Sequence, residues 1–314
     1  MTHPVRIAAA LALLLSAILA QAQSWPTKPI RVVVPQAPGG GSDLVARLMA
    51  PEIEKRLGQP FVIENKPGGN DSIGPDVVAK AAPDGYTIGV ISSSLSINQT
   101  SAGIKLPFDP VRDLVPVAPM VRIPMVVMVN TELGVNDLKS MVAVSKARPG
   151  KLNYGSAGPT TFGGMATEWL MRLSGADYTG VTYGGRGILQ GLVAGDIHLV
   201  FGGLAAASPT LQTGKARIIA VTSAQRMAKL PDVPAVAETY PGYEVVIYYG
   251  FVAPAGTPAD IVNRLNTAIG ESIQALTPKL LDMGNEPMRM APAEFKGYLA
   301  RDLATWTKVV DLVK

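Results

Sequence analysis

A buried-strand signal that runs straight into a glycine-rich turn and then a helix constrains this chain most: residues 30–43 read IRVVVPQAPGGGSD. Ile30, Val32, Val33 and Val34 form a β-branched run of the kind buried on both faces of a parallel sheet. Pro35 and Pro38 end it. Gly39, Gly40 and Gly41 permit dihedrals and close approaches that a Cβ forbids, and Ser42 or Asp43 can cap the helix expected of LVARLMAPEIEKRL. A helix start exposes unpaired N–H groups and about half a positive charge, which favours a carboxylate or phosphate there. The alternative for such a glycine run is a tight turn that binds nothing.

The first residues predict export. Arg6 precedes an apolar stretch from Ile7 to Leu19, and Ala20-Gln21-Ala22 has the small-x-small form of a signal peptidase site, so residues 1–22 read as a secretory signal cleaved near Ala22. The apolar stretch is shorter than the roughly 20 residues a membrane-spanning helix needs. With 0 cysteines there is neither a disulfide nor a lipid-attachment residue. About 290 residues remain, more than one core usually serves, which predicts two domains. A net charge of +4, scattered basic residues and 6% aromatics offer no stripe or stacking platform for nucleic acid.

Beyond the glycine turn, short apolar runs alternate with helical patterns: PFVIENK, SIGPDVVAKAA and YTIGVISSS, in the order of parallel βα units. A second α/β series starts near Pro124 with MVVMVN and runs to RIIAVTS, and VVIYYGFVAP adds one more strand. Amphipathic helices over 258–275 and 292–313 follow, with no strands of their own to cover. They must pack on a sheet built earlier, which predicts that the chain crosses between lobes at least twice. The expected division is 23–122 plus 246–314 for domain 1 and 123–245 for domain 2. The fold class is α/β, two doubly wound sheets with a ligand cleft between them at the carboxyl ends of the strands.

The blocks WPTKPIRVVVPQAPGGGSD, NKPGG, APDGYTIGV, FDPVRDLVPVA, PGKLNYGSAG, AVTSAQRMAKLPDVPAVAE and APAGTP follow one another in order. Together they resemble the substrate-binding proteins of tripartite tricarboxylate transporters, the Bordetella uptake gene (Bug) family, from about Trp25 to Trp306. The resemblance implies a type II-like, Venus-flytrap periplasmic binding protein. Such a protein closes on a small organic acid and delivers it to membrane permease subunits, as a monomer without cofactor or metal. It further implies a ligand carboxylate held by the loop Gln36, Pro38, Gly39, Gly40, Gly41 and Asp43 and by the second-domain positions Ser156, Ala157, Gly158, Thr160, Thr161, Tyr183, Arg186 and Gly202. Ser92 and Ser93, and Asn98 beyond them, belong to a further loop. Three segments depart from the family form: Gly69-Asn70-Asp71 stands where Ala, Gly and Gly are usual, TYGGRG replaces a proline-tyrosine-lysine-glycine sequence, and Thr161-Phe162 falls where serine and histidine are common.

The residue chemistry agrees with this map. Gly155 to Gly158 offers N–H groups, Ser156, Thr160 and Thr161 offer hydroxyls, and Arg186 offers a two-pronged donor to a distal carboxylate or is a solvated cation. Asp43 would repel a bound carboxylate, so it caps its helix, pairs with Arg47 or accepts from a ligand hydroxyl or amine. A periplasmic hydrolase or decarboxylase is disfavoured, because His198, in the apolar run DIHLVFGG, reads as structural and no nucleophile elbow or P-loop is present. An all-oxygen calcium site stays open, as does a sensor role upstream of a membrane kinase.

Overall fold

The computed structural model describes residues 25–100, 105–184 and 187–313; the expected signal peptide and Arg186 lie outside them. The β-branched run forms β1 (Ile30–Val34), buried at every position but Arg31. It pairs in parallel with β2 (Phe61–Asn65) and β3 (Thr87–Ser92), through crossovers that carry α1 (Gly41–Leu57) and α2 (Ile73–Ala79). After α3 (Ser94–Thr100) comes β4 (Leu114–Asn130), a 17-residue strand. The second α/β series supplies α4 (Leu138–Ala147), β5 (Asn153–Ser156), α5 (Phe162–Ser174), β6 (Thr179–Thr182), α6 (Gly187–Ala194), β7 (Leu199–Gly203), α7 (Leu204–Gln212) and β8 (Ala216–Val221). The chain then makes β9 (Val246–Pro254), α8 (Ala259–Asp282), β10 (Glu286–Pro287) and α9 (Pro292–Val313).

The strands order as β2-β1-β3-β9-β4 in one half and β6-β5-β7-β4-β8 in the other. Each half is therefore three parallel strands, one antiparallel strand and a fifth antiparallel to that, with the two-residue β10 added antiparallel to β4 at the edge of the first. The sheets are mixed rather than wholly parallel, because each half receives one strand on its way to or from the other. Strand β4 serves both: Leu114–Pro124 pairs with β9, and Met125–Asn130 pairs with β7 and β8. The sequence placed the start of the second series near Pro124, yet the strand runs through Pro116, Pro119 and Pro124. Register shifts at Pro116/Ala118 and Pro119/Val121 absorb the missing N–H groups.

The first half buries Val32, Met49, Ile88, Phe251 and Ile269 in one cluster, with α8 laid across it. The second buries Val127, Tyr154, Leu170 and Tyr243. Helix α9 belongs to both. Phe295 packs with Tyr248 and Val252 of the first half, while Trp306, Val309 and Val310 enter the second half's core, Trp306 edge-on to Phe162 at 5.3 Å. We propose a division at 124/125 and 245/246 with α9 shared, in place of the expected 122/123 boundary with 246–314 wholly on the first lobe.

Strand direction now places the cleft. In the first half β4 runs toward the second, and β1 and β3 run parallel to it, since both are antiparallel to β9 or paired with a strand that is. Their carboxyl ends thus point at the second lobe. In that lobe β7 opposes β4 and β5 follows β7, so their carboxyl ends point back. Ser92 at the end of β3 stands level with Tyr249 and hence Val121, whereas Gly203 at the end of β7 stands level with Met125. Four residues of strand separate the two levels, roughly 13 Å, a gap that suits a small molecule.

Candidate ligand-binding site

The turn between β1 and α1 forms one wall. Gly39 is left-handed (φ 83°), and Gly40 in extended conformation is the N-cap of α1. The turn's own groups take up part of its N–H array: Ser42 N–H donates to the Gln36 side-chain Oε1 (2.9 Å), Gly39 N–H to Asp43 Oδ2 (2.9 Å), and Gly40 N–H to the backbone Ala37 O (2.9 Å). The cradle is thus largely pre-organised by its own residues, which the reading of a bare glycine loop did not anticipate. Glycine is needed at 41 for a second reason, since a Cβ there would lie 2.5 Å from the Tyr249 hydroxyl.

Asp43 is buried and bound within its lobe. Its carboxylate accepts from Gly39 N–H, from Arg47 Nε (2.9 Å) and from Asn65 Nδ2 (2.8 Å). Burial pushes this carboxyl up, but those hydrogen bonds and the Arg47 charge bring it net below its ordinary value. Asn65 also donates to Gln36 O (2.8 Å), so β2 is tied to the turn.

At the end of β3 the Ser92 hydroxyl, buried, donates to Asp71 Oδ2 (2.8 Å), and Gln36 Nε2 donates to the same oxygen (3.1 Å). Ser93 is buried, with its N–H on Tyr248 O (3.3 Å). Asn98, fully buried, exchanges amide hydrogen bonds with Asn70: Asn70 Nδ2 donates to Asn98 Oδ1 (2.8 Å), and Asn98 Nδ2 to Asn70 O (2.8 Å).

The opposite wall is the turn between β5 and α5. Ser156 is buried, its hydroxyl donating to Gly158 O (3.1 Å) and accepting from Gly158 N–H (3.2 Å). The Thr161 hydroxyl donates to Gly158 O (2.6 Å) and caps α5 by accepting from Gly164 N–H (3.4 Å). Ala157 and Thr160 are exposed at the crest of this turn. Gly202 and Gly203 end β7, and Gly203 is the N-cap of α7. Tyr183 ties β6 to the Ser156 loop through its N–H to Ser156 O (2.9 Å), and its ring lies over Gly187 and Gly191 of α6. The structure thus brings the loops of Gln36, Asp43, Ser92, Ser156, Thr161 and Gly202 to strand ends that face one gap. It places Asp43, Ser156 and Thr161 as internal fasteners of their turns.

Asn65 and Tyr249 escaped the sequence reading. Asn65 opens the NKPGG block at a strand end, and Tyr249 is the second of two adjacent phenols in β9; nothing local in the sequence says which groups either meets. His198 is held within its lobe, Nδ1 accepting Asn153 N–H (3.0 Å), and burial lowers its pKa.

A family model described as "Tripartite tricarboxylate transporter family receptor" matches residues 45–314. Protein BugT of Bordetella pertussis is 32% identical, over 92% of this chain and 90% of its own length. The solved structure described as "R. palustris Rpa4515 with adipate" matches with a TM-score of 0.83 at 33% identity, covering 92% of this chain and 98% of that one. MatC from Rhodopseudomonas palustris with bound malate gives 0.78 at 32% identity, covering 91% and 100%. The two-lobed α/β architecture and these matches together make this chain a member of the tripartite tricarboxylate transporter receptor family, the Bug group of periplasmic solute-binding proteins.

Proposed function

We propose that this protein captures a small organic acid by closing its two lobes and hands it, unaltered, to membrane permease subunits. The observation that carries this reading is the opposition of two helices, α1 and α5, whose N-termini follow β1 and β5 into one gap roughly 13 Å across. Each helix start contributes a partial positive charge, so a carboxylate between them is favoured in the closed state more than in the open one. That differential affinity holds the lobes shut. The relatives with adipate and malate support a carboxylate as the ligand. Export through the N-terminal signal fits the family, and among the described residues no helix is long and apolar enough to cross a membrane. No covalent step is assigned: the histidine in the described residues spends Nδ1 on a backbone N–H.

The test is calorimetry and thermal unfolding of the exported protein against mono-, di- and tricarboxylates. A ligand at a hundred times its Kd stabilises the folded state by about 2.7 kcal/mol. One acid class raising the Tm and being recovered intact is the expected result; no shift with any acid would sink the reading.

A further inference from the structure

Asn70 and Asp71 are the two described non-glycine residues with left-handed backbone, at φ 50° and 69°, and they are consecutive. Such conformations are costly for residues with a Cβ and persist where the surroundings over-determine them. Here they do. The buried Asn98 amide clamps Asn70 on both sides and also donates to Gly69 O (3.4 Å). The effect is to turn the Asp71 carboxylate toward the end of β3. There it accepts from the Ser92 hydroxyl and from Gln36 Nε2, and the Tyr249 phenol feels its charge.

The composition of that shell is the informative part. Its donors are a hydroxyl and a carboxamide, both neutral, whereas Asp43 of α1 has Arg47. Burial accordingly holds the Asp71 carboxyl above its ordinary value despite the hydrogen bonds it accepts. A carboxylate has about four acceptor positions, so these two donors leave room for another. Asp71 remains half-buried rather than sealed. It sits on the first-lobe wall, one side chain removed from Ser42 N–H of α1, because Gln36 bridges the two through Oε1 and Nε2. A cleft that takes an acid at the helix starts would gain nothing from an unpaired negative group beside it, unless the ligand brings a positive group to meet it.

We infer that Asp71 is a specificity residue that receives a protonated amine, so that the ligand class is an amino-carboxylate rather than a plain organic acid. This rests on the acid-binding reading above and narrows it. The carboxylate lies toward the α1 and α5 starts, and the ammonium donates to Asp71, completing the shell that Ser92 and Gln36 begin.

The experiment is calorimetry on the exported protein with matched pairs that differ in the amine: glutamate against glutarate, aspartate against succinate, and 4-aminobutyrate and 5-aminopentanoate against butyrate and pentanoate. The expected result is that at least one amine-bearing member binds about 30-fold more tightly than its partner, and that Asp71→Asn removes most of that margin. Asparagine keeps the side-chain shape and tolerates the left-handed backbone, so folding is preserved; Ser92→Ala, which leaves the charge in place, should cost far less. Tighter binding of the acids lacking the amine, or a preference for amines that survives Asp71→Asn, overturns the inference while leaving acid capture intact. Binding of neither class overturns both.

Discussion

Gly41 and Tyr249 make a pair whose cost can be measured. The close approach of the helix start to the phenol leaves no room for a Cβ, so Gly41→Ala should destabilise the first lobe by about 1–3 kcal/mol. Tyr249→Phe removes the clashing oxygen and should recover part of that loss in the double variant, as read by urea unfolding; strict additivity would disprove the contact. Asp43 makes a second residue-scale prediction. Its pKa is lowered in the fold, so its contribution is present at neutral pH and disappears as pH falls through the folded value. Asp43→Ala leaves Asn65 and the Gly39 N–H without their acceptor, at about 1–3 kcal/mol near pH 7, and the deficit should shrink below pH 4. Both residues lay in the glycine-turn motif and were legible as important. Their partners were not, because Tyr249 and Asn65 come from strands distant in sequence, and only the sheet register brings them alongside.

Among the elements, α9 packs into the cores of both lobes. Trp306 is buried against Phe162, and Trp306→Ala should cost about 3–5 kcal/mol in thermal or chemical unfolding. One turn earlier, Asp302 is pushed by burial to a pKa of about 6, which hydrogen bonds from Ser96 of α3, Tyr248 of β9 and Trp306 only partly offset. A folded-state pKa above the unfolded one means the native protein binds more protons between about pH 4 and 6, so stability falls as pH rises through that window. Asp302→Asn should flatten the Tm profile between pH 4 and 7 and be more stable than the parent at pH 7; an unchanged slope would refute the assignment. The amphipathic pattern of α9 was plain in the sequence. Its division between two cores was not, since one apolar stripe looks the same whether it meets one partner surface or two.

On the scale of the whole molecule, the described residues join the lobes in three places: β4 at Pro124/Met125, the return into β9 at Val246, and α9. Rotation about these few positions is how closure would proceed. Solution scattering should therefore show a smaller radius of gyration when a saturating ligand is present, and an unchanged radius with tight binding would argue for a preformed pocket. The local code of the chain determined the α/β class, the strand-turn-helix units, the glycine turns and the family, because period, β-branching and turn residues act over a few positions at a time. Tertiary structure decided what those signals share out between distant segments: that β4 passes through three prolines to serve two sheets, that Gln36 rather than a ligand occupies Ser42 N–H, and that Asp71 meets only neutral donors. Each depends on register and burial, which sum contacts over the whole chain and leave no trace in any one stretch of it.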